Sequence, residues 1–327
     1  MRVLTYKEID REEWNALVKA SATGTWFQTP EAYCFYESMP EFFRPFVVAV
    51  ERVNDLTNER TLRGVCVGYV TVEKSAVKQW LTRRAIIIGG PCFADDCANE
   101  EVSLLLSTLR QQLSTGANAP IYIESRNFND YSRWKDAFAS AGFDYKAHLN
   151  FHVDCRDKEA MWERMSENRR RQVRKAQATV ECLTNEGISE LEVREWYEIL
   201  RMLYRTKVKT PLWPVEFFLE AYRQGVGKFL LVKHEGKVIG GSMVVMSERV
   251  KELGNEGTVY EWFECGLNAD YKEQYPSVMA TWAGMQYANG HGCARYDMMG
   301  AGVPGVPYGV RDFKSEFGGE LVEHGRF

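Results

Sequence analysis

The chain has 327 residues, a length that suits two domains better than one. Hydrophobic residues make up 45% and charged residues 26%, a balance that excludes a disordered chain. The formal charge of −4 excludes a globally basic nucleic-acid binder, so no DNA partner is expected and any RNA or phosphate must be held by a local patch.

In chain order, the first predicted element is a helix over Arg11 to Lys19 with Trp14, Leu17 and Val18 on one face. A hairpin follows, from Pro45-Phe46-Val47-Val48-Ala49-Val50 through a polar loop to Gly64–Val70. A third strand, Ile86-Ile87-Ile88, stops at Gly89-Gly90-Pro91. A helix over about Glu100 to Leu113 carries an apolar stripe of Val102, Leu105, Leu106 and Leu109. Then come a strand at Pro120–Glu124, a short helix ending at Ala141-Gly142-Phe143, and a strand near Phe151-His152-Val153.

The second half repeats this grammar. Helices are expected near Glu192–Tyr204 and Val215–Arg223. A hairpin runs from Phe229–Val232 through Glu235-Gly236-Lys237 to Val238–Val245, and a strand holds Val259–Phe263. A helix from Ser277 to about Ala288, a strand at Tyr296–Met299 and a short helix near Asp312–Glu316 complete it. Helices alternating with strands give an α/β (α+β) protein of two similar lobes, residues 1–150 and 151–327, each a mixed sheet flanked by helices. No Gly/Ser or Pro linker parts the halves, so a substrate groove is expected between them.

No stretch approaches the roughly 20 apolar residues that span a bilayer, and no basic-then-apolar leader stands at the N-terminus. Eight scattered cysteines form no CxxC pair and do not cluster with the five histidines. These features point to a cytoplasmic protein with reduced thiols, no metal site and at most peripheral membrane contact.

Several segments carry a family resemblance. Ser166–Ala176, with its run of arginines, looks like the basic helix that opens the second lobe of the Fem peptidyltransferases. Pro211-Leu212-Trp213-Pro214-Val215-Glu216-Phe217-Phe218 looks like that family's acceptor-side helix. Tyr287–Gly292 followed by Arg295–Gly300 looks like its last long helix and strand. Tyr308-Gly309-Val310-Arg311-Asp312-Phe313-Lys314 with Phe317-Gly318-Gly319 looks like its closing motif, where a Phe-Lys pair meets the acyl group. The resemblance covers most of the chain, more weakly over residues 1–150. It implies two tandem GNAT-like lobes and transfer of an aminoacyl or acyl group to an amine. The acceptor would be a small or lipid-linked molecule. The co-substrate would be aminoacyl-tRNA or acyl-CoA, with no bound cofactor. The absence of sustained heptads matches members that lack a coiled-coil arm.

The sequence also departs from the family. Members that bind UDP-linked muramyl pentapeptide place an Arg and, four residues on, a Tyr at the acceptor helix. Here those positions hold Trp213 and Phe217, and Glu264 stands where a strand Tyr would be. Losing the Arg removes a bidentate clamp for phosphate or carboxylate.

Acyl transfer needs an amine without its proton, a stabilised oxyanion and a held leaving group. Lys314 is the candidate for the oxyanion or leaving group, and Asp297 and Glu264 are candidate proton acceptors or structural hydrogen-bond acceptors. Phe313, Trp213, Phe217, Tyr308 and Arg311 are candidate substrate contacts, and Trp26, Phe27 and Gln28 are candidate groove residues. Arg169, Arg170 and Arg174, with Arg171 and Lys175, form a basic helix that suits phosphate, from tRNA, coenzyme A or a nucleotide sugar, or is a solvated face. The turn before the Ser277 helix, Ala269–Pro276, lacks the glycines that cradle a pyrophosphate, and Pro276 offers no N–H. Gly300–Pro307 is read as a substrate loop or a plain connection. An acyl-CoA-dependent N-acyltransferase of polysaccharide or lipid assembly, and a non-catalytic binding protein of the same fold, stand as alternatives.

Overall fold

The structure is a computed structural model and describes residues 1–54, 56–72, 82–115, 119–248 and 257–327. The described residues divide into two units. The first holds Met1–Leu149 and the last five residues, Glu323–Phe327; the second runs from Asn150 to Val322.

The first unit opens with β1 (Arg2–Leu4) and α1 (Arg11–Ala20). Asp10 caps α1, accepting from the backbone N–H of Glu12 and Glu13, and Trp14, Leu17 and Val18 are its buried face. α2 (Pro30–Glu37) starts on a proline, with Thr29 as its cap. Then come β2 (Phe43–Val53), β3 (Arg60–Thr71), β4 (Arg84–Gly89), β5 (Cys92–Phe93), α3 (Asn99–Leu113), β6 (Tyr122–Asn127) and α4 (Lys135–Ser140). The sheet order is β1-β2-β3-β4-β6, with β5 beside β3. α3 crosses from β4 to β6, which pair in parallel along their whole length, Arg84 opposite Tyr122 to Gly89 opposite Asn127. Its stripe of Val102, Leu105, Leu106 and Leu109 packs with Val48, Val50, Cys66, Ile87 and Phe93.

The end of the chain returns to this unit. Ser125 and Phe327 exchange backbone hydrogen bonds at 2.8 and 3.0 Å, and the Phe327 ring stacks on Phe138 at 4.0 Å. Gln28, expected near a groove, is instead wholly buried. Its amide donates to the carbonyls of Val67 and Ile88 and accepts from the Val67 N–H, so it bridges β3 and β4 where their own ladder has ended. Phe27 is likewise core.

The second unit contains β7 (Leu149–Asp154), α5 (Lys158–Arg164), α6 (Glu167–Ala176), β8 (Glu181–Thr184) and α7 (Glu190–Leu203). It continues with α8 (Val215–Arg223), β9 (Lys228–His234), β10 (Lys237–Ser247), β11 (Thr258–Gly266), α9 (Pro276–Gly290), β12 (Arg295–Asp297), α10 (Gly309–Ser315) and β13 (Glu320–Glu323). The sheet order is β13-β7-β12-β11-β10-β9-β8. The strand near Phe151 belongs to the second sheet, antiparallel to β12. The same motif occurs in both units: a hairpin, an antiparallel third strand, a crossover helix and a parallel strand. It is β2-β3-β4-α3-β6 in the first and β9-β10-β11-α9-β12 in the second.

Candidate active site in the second unit

β11 and β12 pair only from Thr258 opposite Arg295 to Tyr260 opposite Asp297. β11 then runs on to Gly266 while the chain leaving β12 turns away, so the sheet opens. The turn is set by Asp297. This wholly buried carboxylate accepts from Asn150 Nδ2 and from the Met299 N–H, both at 2.7 Å, and lies 3.2 Å from His152 Nε2. Asn150 also accepts from the Gly300 N–H at 2.7 Å. Met299 is held at φ 52°, a left-handed value that a non-glycine side chain resists. The result presents the carbonyls of Met298 and Gly300 side by side.

Lys314, on α10, fills the opening. Its Nζ donates to Gly300 O at 2.8 Å and to Met298 O. Desolvation lowers its pKa, and the fields of Glu261, Glu264 and Asp297 oppose that loss of charge. Within ion-pair distance, among the described residues, the ammonium has no carboxylate partner; it rests on carbonyl dipoles in a field of three acids.

Two of those acids come from β11. In a regular strand, residues three apart point to opposite faces. Here the register between β10 and β11 slips: Met243 faces Phe263, while Val244 faces Glu261. The extra residue of this bulge turns the strand so that Glu261 and Glu264 act on one another and on Lys314. Glu261 is buried and accepts from Tyr296 OH at 2.7 Å and Thr281 Oγ1 at 3.0 Å. Burial raises its pKa. Glu264 is pushed up to about 8 by burial and then by the charge of Glu261. Its Oε1 is buried with no hydrogen-bond partner among the described residues. Asp297 differs: burial would raise it, but His152, Arg295 and Asn150 hold it below the usual carboxylate value. The site thus contains a carboxylate held ionised and a carboxyl that stays protonated near neutral pH, as acid–base chemistry requires.

The other sequence candidates fall in different places. Phe313 is half-buried, and the Arg169 guanidinium lies 4.5 Å over its ring and 4.6 Å over that of Phe317. Arg169 also donates to Phe313 O and Gln172, and lies 3.5 Å from Glu316. It is therefore a buried post that holds α10, and not the phosphate ligand expected from the basic run. Arg170 is half-buried. Arg174 is exposed, its guanidinium 5.3 Å from the Trp162 ring, and the exposed Lys175 pairs with Glu273. Phe217 is wholly buried among Phe218, Trp262 and Phe263, so it presents no surface to a substrate. Trp213 lies over it, half-buried, with ring centres 6.0 Å apart. Tyr308 is exposed. Arg311 donates to the carbonyls of Ala301, Val303 and Val306 and so clasps the loop after Gly300. Glu261 was missed in the sequence, although an acid between Val259-Tyr260 and Trp262-Phe263 on a buried strand was a signal.

The N-terminus of α9 has few free donors. Pro276 has no N–H, and the Ser277 N–H is bonded to Asn268 Oδ1 at 3.1 Å. Among the described residues no grouping of His, Cys, Asp and Glu suits a metal ion, and no helix is long and apolar enough to cross a membrane.

Residues 254–327, which hold Glu261, Glu264, Asp297 and Lys314, match the FemAB family. None of the curated proteins matches the chain by sequence. Among solved structures, that of FemX superposes with a TM-score of 0.72 at 14% identity, covering 100% of this chain and 96% of FemX. L-PGS from Bacillus licheniformis is similar with a TM-score of 0.53 at 10% identity, covering 97% of this chain and 91% of that one. A tandem GNAT protein from the clavulanic acid biosynthesis pathway, solved without AcCoA, is similar with a TM-score of 0.54 at 10% identity, covering 99% and 96%. At such identities the likeness is one of fold. The chain thus carries a FemAB-family segment over residues 254–327, set in a tandem GNAT-like fold of the FemX kind.

Proposed function

We propose that the protein is an acyltransferase that moves an aminoacyl group from an ester donor to an amine acceptor, as in the assembly of cell-wall or lipid-linked products. The observation that carries this reading is the Lys314 ammonium, desolvated and seated on two carbonyls in the opening between β11 and β12, beside a carboxyl with one unpaired oxygen. Attack of the amine nitrogen on the acyl carbon forms the new C–N bond and places negative charge on the carbonyl oxygen. Lys314 stabilises that charge, worth about 3 kcal/mol when one such donor is removed. Collapse breaks the acyl C–O bond, and the departing alkoxide takes the proton that Glu264 has received from the amine. Glu264, once ionised, accepts the proton that the amine loses. Asp297 positions the loop that seats Lys314.

An ester donor is favoured over a coenzyme A thioester by the blocked start of α9, where a pyrophosphate would seek backbone N–H groups. The FemAB match of residues 254–327 and the fold shared with FemX and L-PGS support aminoacyl transfer, with a small or lipid-linked amine as the acceptor. A panel of radiolabelled donors, charged tRNAs beside acyl-CoA thioesters, tests the reading. Transfer from charged tRNA is expected. Transfer from thioesters alone selects a coenzyme A-dependent N-acyltransferase, and transfer from neither leaves a binding protein.

A further inference from the structure

We propose that the β4–β6 face of the first unit binds a phosphoryl group, gripped by Arg84, Arg126 and Arg326. The register of β4 and β6 sets Arg84 opposite Tyr122, Ile86 opposite Glu124 and Ile88 opposite Arg126. A period of two then places Arg84, Tyr122, Glu124 and Arg126 on one face. The end of the chain bridges Arg126 through Arg326 and adds a third guanidinium. Glu124 is the acid in their midst, and both its oxygens are used: Arg126 donates to one at 3.0 Å and Arg326 to the other at 2.7 Å.

Two cations thus share one carboxylate, and Arg84 stands on the same face of the neighbouring strand. Among the described residues, Arg84 Nε, Arg126 Nε and His148 Nδ1 are buried without a hydrogen-bond partner. Burial and then the charge of Arg326 lower the pKa of His148, and burial and then Arg126 lower that of Arg326 itself. The Tyr69 phenol feels both Arg126 and Arg84. Among the described residues the cluster, three arginines and one glutamate, is short of negative charge by about two, which a phosphoryl dianion supplies, and guanidinium forks match phosphate oxygens in pairs. The side chains of Arg126 and Arg326 are 34% and 36% exposed, so a ligand can reach them.

The experiment is a titration of the full chain with inorganic pyrophosphate and with inorganic phosphate at constant ionic strength. It is followed by calorimetry and by the His148 ring signals in NMR, assigned with His148→Asn. Saturable binding is expected, with the His148 midpoint moving to higher pH as the anion offsets the neighbouring cations. Arg84→Gln is expected to weaken binding at least tenfold. Arg84→Lys keeps the charge, guards against misfolding, and is expected to weaken it several-fold. Lys314→Ala is expected to bind like the wild type, which separates this site from the transfer reaction. No saturation at millimolar anion, an unmoved His148, or full binding by both Arg84 variants would overturn the proposal.

Discussion

The two units use one order of elements and treat its central seam in opposite ways. In the first, β4 and β6 stay paired from end to end, and where β3 and β4 part, the Gln28 amide fills the gap with hydrogen bonds to both strands. Its buried acid Glu101 is fully matched, by two bonds from Arg52 at 2.8 and 2.9 Å and one from the Ala98 N–H. In the second, β11 and β12 separate after Tyr260, and the gap holds a lysine, two raised carboxyls and an unpaired oxygen. Complete pairing gives stability, and incomplete pairing in a dry setting leaves charge free to meet a substrate.

The sharpest way to break this comparison is Lys314→Ala. Turnover with the true substrate pair is expected to fall about a hundredfold, with an unchanged circular dichroism spectrum. A rate equal to wild type removes Lys314 from the chemistry. Glu264→Gln comes next. The wild-type rate is expected to rise with pH up to about 8 as Glu264 ionises, then fall as Lys314, whose pKa is lowered, loses its proton. The Glu264→Gln change should remove the rising limb and leave the falling one. Stability carries the same signature. The folded carboxyl holds its proton more tightly than the unfolded one, so its contribution is full below about 4.5 and lost as pH climbs to about 8. That loss runs at up to about 1.4 kcal/mol per unit. The Glu264→Gln variant should gain on the wild type across that window in denaturant melts, and parallel curves would contradict a raised carboxyl.

The contrast was only partly legible in the sequence. Periodicity located the hairpins and the crossover helices, because the Val102-Leu105-Leu106-Leu109 stripe and the Phe229–Val232 run depend on local pattern alone. Lys314 and Glu264 could be named from the resemblance and from strand position. Glu261 could not be joined to them, because a period of two sends residues three apart to opposite faces, and the bulge that overrides it arises in the register with β10. Arg169 was grouped with Arg170 and Arg174 by adjacency. On a helix, its place one residue from Arg170 turns it by about 100° into the core, onto Phe313 and Phe317. Phe217 illustrates the same limit, since an aromatic in a helix reads alike whether it lines a groove or fills a core.

Stability tests sharpen the comparison at lower amplitude. A Cβ on Gly284 of α9 would lie 2.4 Å from Tyr296 OH, the hydroxyl that donates to Glu261. Gly284→Ala is expected to cost about 1–3 kcal/mol and to slow turnover through the displaced Tyr296. Glu101→Gln in the first unit is expected to cost a similar amount, by weakening the Arg52 bonds, with no change in turnover by the folded protein. A drop in its turnover would show that the closed unit takes part in the chemistry.

The smallest effect is expected at Arg174. It is exposed on α6 and its guanidinium faces the Trp162 ring, so it is free to meet a phosphate in a way that the buried Arg169 is not. A single phosphate contact contributes about one unit to the dependence of log affinity on log salt. With charged tRNA as donor, Arg174→Ala should raise KM a few-fold at low salt, flatten the salt dependence by about that one unit, and leave kcat unchanged. Arg169→Ala should instead lower stability and kcat together, because it removes the post under Phe313 and so loosens the helix that carries Lys314. If the two variants behave alike, α6 acts only as a support, and the donor's phosphates are held elsewhere.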